Sequence, residues 1–271
     1  MVRAEFVIKL GGSAITNKDS PLSPNMEVME QIARELAKFD LKERKIVLVY
    51  GGGSFGHFIA KRHLSKGAVL NPKGCAEIRA AMLSLTKIIT DMFLKYDLPI
   101  FVINPSSCFL LKDGEIEPDG SFLTPIERSL QIGLLPAVGG DVVLDSVNGA
   151  RILSGDRIAR LIARRLQAKA LVFGTDVDGI LTDRGLLRRI KKGEIKRTLA
   201  VLGGRPGDVT GGIAGKLREI NSYLSEGGRL AIVFNITRPG LLTKILSGDE
   251  VIGTYIKGGA QKTHGFNRGI K

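Results

Sequence analysis

The chain alternates between short runs of consecutive apolar residues and longer segments in which apolar residues fall three and four apart. EFVIKL (5–10), KIVLVY (45–50), LPIFVI (98–103), LPAVGGDVVLD (135–145), KALVFG (169–174) and LAIVFNI (230–236) read as strands. Several are apolar at successive positions, as a parallel strand covered on both faces must be. Ser23 and Pro24 read as the N-cap and first residue of a helix with Met29, Ile32, Ala33 and Leu36 on one face. A long helix at about 74–95 carries Ile78, Met82, Leu85, Ile89 and Met92. Another follows Ser154, with Ile158, Leu161 and Ile162, and a fourth follows Gly211 and Gly212. Asp113-Gly114 and Asn148-Gly149 are hairpin signals. Strands alternating with helices predict an α/β sandwich around a mostly parallel sheet. No linker or repeat interrupts the pattern, so a single domain is expected over 1–271, ending in a basic tail at 258–271.

Composition modifies this picture in four places. No apolar run approaches the ~18–20 residues that span a bilayer, and the chain opens on AEFVIKLGG with no signal-peptide pattern. A cytoplasmic protein with no membrane partner is the expectation. Cys75 and Cys108 stand far apart and outside any C-x-x-C, so they read as buried free thiols, a disulfide staying open only for a hyperthermophilic host. His57, His63 and His264 share no metal-ligand spacing, so no metal site is expected. The net charge of +13 raises nucleic-acid binding as a possibility. The positive residues are dispersed, however, and the densest stretch, RGLLRRIKKGEIKR (184–197), has no aromatic residue for base stacking. A basic surface that attracts anionic metabolites, without a nucleic-acid partner, is the better reading.

The candidate chemistry lies in glycine loops. VLVYGGGSFGHFIAKRH (47–63) runs from strand to helix, and Gly51, Gly53 and Gly56 satisfy G-x-G-x-x-G. A dinucleotide site needs a second strand soon afterwards, ending in an acidic residue ~20 positions past the loop. Residues 66–74, KGAVLNPKG, lead instead into the long helix. GGIAGKLRE (211–219) approaches the Walker A pattern, but Leu217 stands where the magnesium-binding hydroxyl belongs. General physics remains: glycines between strand and helix let backbone N–H groups and the helix N-terminus hold an anion. Three such places occur, at Gly11-Gly12-Ser13, Gly51-Gly52-Gly53 and Gly211-Gly212. Each has a cation near it in sequence: Lys9 and Lys18, His57, and Lys216. Loops after parallel strands meet on one edge of the sheet. Phosphoryl transfer needs that equipment, with little covalent chemistry from the protein.

KLGGSAIT (9–16), YGGGSFGH (50–57), GGDVV (139–143), SGD (154–156), TDVDGIL (175–181), DVTGGIAGK (208–216) and VIGTYI (251–256) occur in one order. In that order they resemble the amino acid kinase family, nearly end to end. The resemblance implies a three-layer α-β-α sandwich with a central, mostly parallel eight-stranded sheet. It implies an acceptor-binding part over about 1–150 and an ATP-binding part over about 151–257. KLGGSAITNK with GGGSFGH most resembles the archaeal members that act on isopentenyl phosphate, with the fosfomycin kinases nearest by motif. The implied reaction is ATP-dependent phosphorylation of isopentenyl phosphate, with Mg²⁺ on the nucleotide and a homodimer as the assembly. A non-catalytic nucleotide sensor on the same fold and a basic RNA-binding protein are the non-enzyme alternatives.

By the same resemblance, Lys9 holds the ATP phosphates with Gly11, Gly12 and Ser13. Lys18 acts on the migrating phosphoryl group, and Lys216, with Gly212, contacts the β- and γ-phosphates. Asp156 reads as a helix N-cap or, by resemblance, as an anionic strut orienting Lys9 and Lys216. Asp176 and Asp178 match the nucleotide base and ribose segment. Gly52, Gly53 and Gly140 face the acceptor phosphate. His57 lies four residues after Gly53, hence one turn along the same helix face, and can lean toward the anion held there.

Overall fold

The computed structural model describes residues 2–63, 70–116, 122–202 and 212–258. Gly211 and the basic tail beyond Gly258 lie outside the described residues. In chain order the first half runs β1 (Phe6–Leu10), α1 (Gly12–Ile15), α2 (Met26–Leu36), β2 (Ile46–Tyr50), α3 (Gly53–His63), α4 (Pro72–Leu94) and β3 (Ile100–Ile103). Next come α5 (Pro105–Cys108), β4 (Leu110–Lys112), β5 (Glu115–Ile116), α6 (Leu123–Gln131), β6 (Leu135–Gly139), β7 (Asp141–Asp145) and β8 (Gly149–Leu153). The second half runs α7 (Gly155–Arg165), β9 (Ala170–Thr175), β10 (Leu181–Thr182), β11 (Gly185–Leu186), β12 (Arg189–Lys191) and α8 (Ile195–Leu202). It closes with α9 (Gly212–Ser225), β13 (Leu230–Asn235), α10 (Leu241–Ser247) and β14 (Gly253–Lys257).

Eight strands form the central sheet in the order β12-β14-β13-β9-β1-β2-β6-β3. Every pairing in it is parallel except β13 with β14. Strand alternation assigns the two faces. Phe6, Ile8, Leu10, Ile46, Leu48 and Tyr50 join one core with residues of α2, α3, α4 and α10. Val7, Val47 and Val49 join the other with residues of α6, α7, α8 and α9. The result is the expected three-layer sandwich, with helices covering both faces of a sheet that has no polar side to show water.

Three sequence expectations need correction. The run 135–145 is not one strand. It breaks at Gly140, whose N–H donates to Tyr50 O at 2.8 Å, so that β6 stays in the central sheet while β7 pairs with β4 and β8 in a four-stranded side sheet. The first long helix begins at Met26, with the Asn25 side chain accepting from the Val28 N–H. Ser23 and Pro24 are spent closing the preceding loop: Pro24 bridges to Thr16, and Ser23 O accepts from Asn17 N–H. Cys75 and Cys108 are free thiols, but half-buried rather than buried. Both hairpin signals hold, at β4–β5 and β7–β8.

Candidate active site

Register aligns the loops. Leu10 lies beside Tyr50 in β2 and Gly174 in β9, and Tyr50 beside Gly139 in β6. The segments that follow these strands therefore leave the sheet side by side, at its C-terminal edge. Gly11 N–H donates to Gly174 O at 2.8 Å, and Gly51 N–H to Leu10 O at 3.0 Å. Gly12 and Gly53 meet backbone to backbone: a Cβ on Gly12 would lie 2.4 Å from Gly53 N. Gly53 also has φ +46°, a conformation that favours glycine. Thr16 Oγ1 donates to Gly12 O at 2.7 Å and accepts from Ser54 N–H at 2.8 Å, which joins the two loops.

Alternation in β1 turns Lys9 to the face that packs on α7. There its Nζ lies 2.8 Å from Asp156 Oδ1, and the lysine is buried. Phe173 is the register neighbour of Lys9 in β9. Lys216, from α9, stands over the Phe173 ring at 4.8 Å and so arrives beside Lys9. Its ammonium donates to Asp156 Oδ2 at 2.9 Å. One carboxylate thus holds two buried ammonium groups from elements distant in the chain. Burial raises the cost of the Asp156 charge, but the Lys216 and Lys9 ammoniums outweigh it and hold the carboxyl well below the usual carboxylate range. Asp156 is not the helix cap. Ser154 caps α7, accepting from Arg157 N–H at 3.2 Å, which leaves Asp156 to serve the lysines. Gly51 and Gly155 both border the Lys9 side chain.

A second cluster stands next to the first. Ser13 Oγ donates to Asp176 Oδ1 at 2.8 Å, and Lys18 forms an ion pair with Asp176 Oδ2. Burial opposes the Asp176 charge, while Lys18 and Ser13 outweigh it and lower the carboxyl's pKa. The Lys18 side chain is 60% exposed. Asp178, expected to work with Asp176, turns elsewhere: its oxygens accept from Asn235 at 3.2 Å and Arg238 at 2.7 Å.

Of the acceptor candidates, Gly52, Gly53 and His57 lie at α3, and Gly140 lies at the start of α7. Gly53 opens α3, and His57 follows one turn later at an exposed position. Gly52 abuts α4, where a Cβ would lie 3.1 Å from Met82 Sδ. Gly140 packs on the start of α7, beside Gly155 N. Gly212 begins α9, one turn before Lys216. Sequence reasoning passed over two contacts in this region. Arg79 of α4 pairs with Asp141 of β7, which is 2% exposed. Tyr50 Oη hydrogen-bonds Thr86 Oγ1 at 2.7 Å, and burial, the main cause, pushes the phenol up to about 12. Positions 79 and 141 share no local pattern. The one available signal was a charged residue inside the apolar run GGDVV.

Comparison with known proteins places nearly the whole chain among relatives of the same fold. The model of the amino acid kinase family matches residues 5–235. An isopentenyl phosphate kinase of Methanocaldococcus jannaschii is 38% identical over 262 residues, covering 92% of this chain and 97% of that protein. One from Methanothermobacter thermautotrophicus is 32% identical, covering 93% and 99%. A crystal structure of isopentenyl phosphate kinase superposes with TM-score 0.77 at 28% identity, covering 93% of this chain and 99% of that one.

Proposed function

Since the chain belongs to the amino acid kinase family, we infer that it transfers the terminal phosphoryl group of ATP to isopentenyl phosphate, giving ADP and isopentenyl diphosphate. The observation that carries this reading is the pair of buried lysines on Asp156 at the edge where the glycine loops meet. Whole-length similarity to isopentenyl phosphate kinases selects the acceptor.

The acceptor's own phosphate is the nucleophile. Its second pKa is ~6, so it is largely a dianion at neutral pH and needs no general base. The difficulty is to bring two polyanions together. Lys9 and Lys216, fixed by Asp156, lie where ATP phosphates would rest on the Gly11-Gly12-Ser13 loop. Lys18 reaches the same edge from its exposed loop and meets the migrating group. Gly52, Gly53, Gly140 and His57 hold the acceptor phosphate in line. The site's carboxylates do not fit a metal-ligand role: Lys9 and Lys216 engage both oxygens of Asp156, and Ser13 and Lys18 both oxygens of Asp176. Magnesium enters this reading on the nucleotide's phosphates, where it neutralises charge. The homodimer and the cytoplasmic location belong to the same proposal. Among the described residues no helix is long and apolar enough to cross a membrane.

A coupled ADP assay over isopentenyl, dimethylallyl and geranyl phosphates and fosfomycin tests the assignment. The highest kcat/KM is expected for isopentenyl phosphate, and a preference for fosfomycin would replace it. Steeply salt-dependent RNA retention on filters at ~150 mM salt would favour the RNA-binding alternative.

A further inference from the structure

The acceptor side of the site contains a charge that the reading above does not use. Cys75, Arg79, Met82 and Thr86 fall on one stripe of α4 by their i, i+4, i+7 and i+11 spacing. Three of them have fixed neighbours at the acceptor end. Met82 Sδ borders Gly52 and Gly56, Thr86 holds the Tyr50 hydroxyl, and Arg79 pairs with Asp141, the residue after Gly140. The guanidinium therefore lies between the α4 turn that touches Gly52 and the strand that begins after Gly140. Those are two of the glycines assigned to the acceptor phosphate.

Arg79 donates one N–H to Asp141 Oδ2 and, among the described residues, has no other hydrogen-bond acceptor. Its side chain is 24% exposed, while that of Asp141 is 2% exposed. A buried carboxylate is a costly way to join a helix to a strand, because apolar residues of similar size do it as well or better. The cost shows in Asp141 itself, whose carboxyl burial raises in pKa although Arg79 opposes it. A buried carboxylate that takes one N–H of a guanidinium leaves its other donors unspent. A planar fork of N–H groups matches phosphate oxygens in pairs.

We propose that Arg79 is a second cationic contact of the acceptor phosphate, in addition to His57, and that Asp141 is its positioning residue. This rests on the acceptor assignment proposed above. Arg79 makes the site select for a dianionic phosphate, and it is set by a residue that touches no substrate.

The test is steady-state kinetics with isopentenyl phosphate and ATP varied separately, alongside calorimetric binding of isopentenyl phosphate without ATP. Arg79→Met alone strands a buried carboxylate and can fail to fold. The deciding variant is therefore Arg79→Met/Asp141→Asn, which removes both charges. It should raise the acceptor KM and Kd ~10–100-fold, as expected for a lost charged hydrogen bond, and leave the ATP KM within about twofold. Arg79→Lys should recover part of the loss, and Asp141→Asn alone should show a smaller loss of the same kind. An unchanged acceptor KM and Kd in the double variant, or an equal rise in both KM values, overturns the proposal. If the wild type neither binds nor phosphorylates isopentenyl phosphate, the acceptor assignment falls and this inference with it. If the wild type is active and the double variant matches it, only this inference falls.

Discussion

Two ion-pair systems stand side by side at the sheet edge and are built differently. In one, Asp156 joins two buried lysines that come from β1 and α9. In the other, Asp176 joins a serine from the first glycine loop to a lysine that is 60% exposed. The first is set by β1, β9, α7 and α9, and each ammonium is locked by packing. The second is held from a loop in contact with water, where an ion pair contributes little to stability. A site that moves a phosphoryl group needs both kinds: fixed charge where the nucleotide rests, and a cation that can follow the group in flight. The contrast predicts that both clusters govern rate while only one governs stability.

The strongest way to break that contrast is at Asp156. Asp156→Asn leaves two buried ammonium groups without a counter-charge, a change that typically costs about 3–5 kcal/mol. Lys9→Ala and Lys216→Ala should each cut kcat ~10²–10³-fold, the usual loss when charge on a migrating group is no longer stabilised. Lys18→Ala should also cut kcat, yet shift stability by no more than ~0.5 kcal/mol, as exposed substitutions do. Thermal melts beside initial rates at saturating ATP read both quantities. An Asp156→Asn protein as stable as wild type, or a Lys18→Ala protein with an unchanged rate, would erase the distinction between the clusters.

The second effect belongs to the acceptor side. His57 is an exposed residue one turn into α3. A neighbouring dianion favours the charged imidazole, and a charged donor to phosphate is worth roughly 1.5–3 kcal/mol. His57→Ala should therefore lower kcat/KM for isopentenyl phosphate ~10–150-fold with little change in ATP affinity. His57→Gln, which keeps a neutral donor, should retain more activity. Wild-type rate and KM in the alanine variant would remove His57 from the site.

A smaller change is expected at Met82. Its sulfur packs on Gly52 and Gly56, and Ile78 and Leu85 share its buried face. If the acceptor's alkyl tail runs along α4, Met82→Ala opens room at its near end. Relative kcat/KM should then shift toward a longer prenyl phosphate by ~10-fold or more, since a methylene-scale change in a pocket is worth ~1–3 kcal/mol. An unchanged chain-length preference would mean that this face only packs on the sheet.

Local signals made much of this legible. The central strands announced themselves through apolar runs, and the parallel arrangement placed the first two glycine loops on one edge. Lys9, Asp156 and Lys216 could be named from their motifs. That they form one cluster depends on β1–β9 register and on Phe173, which no local pattern encodes. Strands β12 and β14 were hidden, the first because it is three residues inside a basic stretch and the second because Gly253 and Thr254 break its apolar run. The break at Gly140 was missed because both halves of 135–145 are strand-like. Only tertiary pairing of Asp141 with α4 shows why the chain must turn there. Asp176 and Asp178 looked like one motif, yet they lie in a bend after β9 rather than on a strand, and each found a different partner.

The smallest effect on activity, and the clearest on stability, is expected far from both clusters. Asp145 ends β7 and holds the side sheet's two turns together. Its carboxylate accepts from the N–H groups of Asp113 at 3.1 Å, Gly114 at 2.6 Å, and Val147 and Asn148 at 2.9 Å. Burial opposes its charge, but these backbone donors win, and the carboxyl falls to about 2. An unfolded Asp titrates near ~3.9. A carboxyl whose folded pKa is depressed stabilises the protein above the unfolded value. It loses that contribution as pH falls through the folded one. The advantage of wild type over Asp145→Asn should therefore be constant from neutral pH down to ~4.5 and shrink steadily between ~4 and 2. Melting both proteins across that range measures it, and kcat at neutral pH should be nearly the same for the two. A gap in melting temperature that does not narrow below pH 4 would mean that the Asp145 charge contributes nothing, and that the amide of asparagine satisfies the two turns equally well.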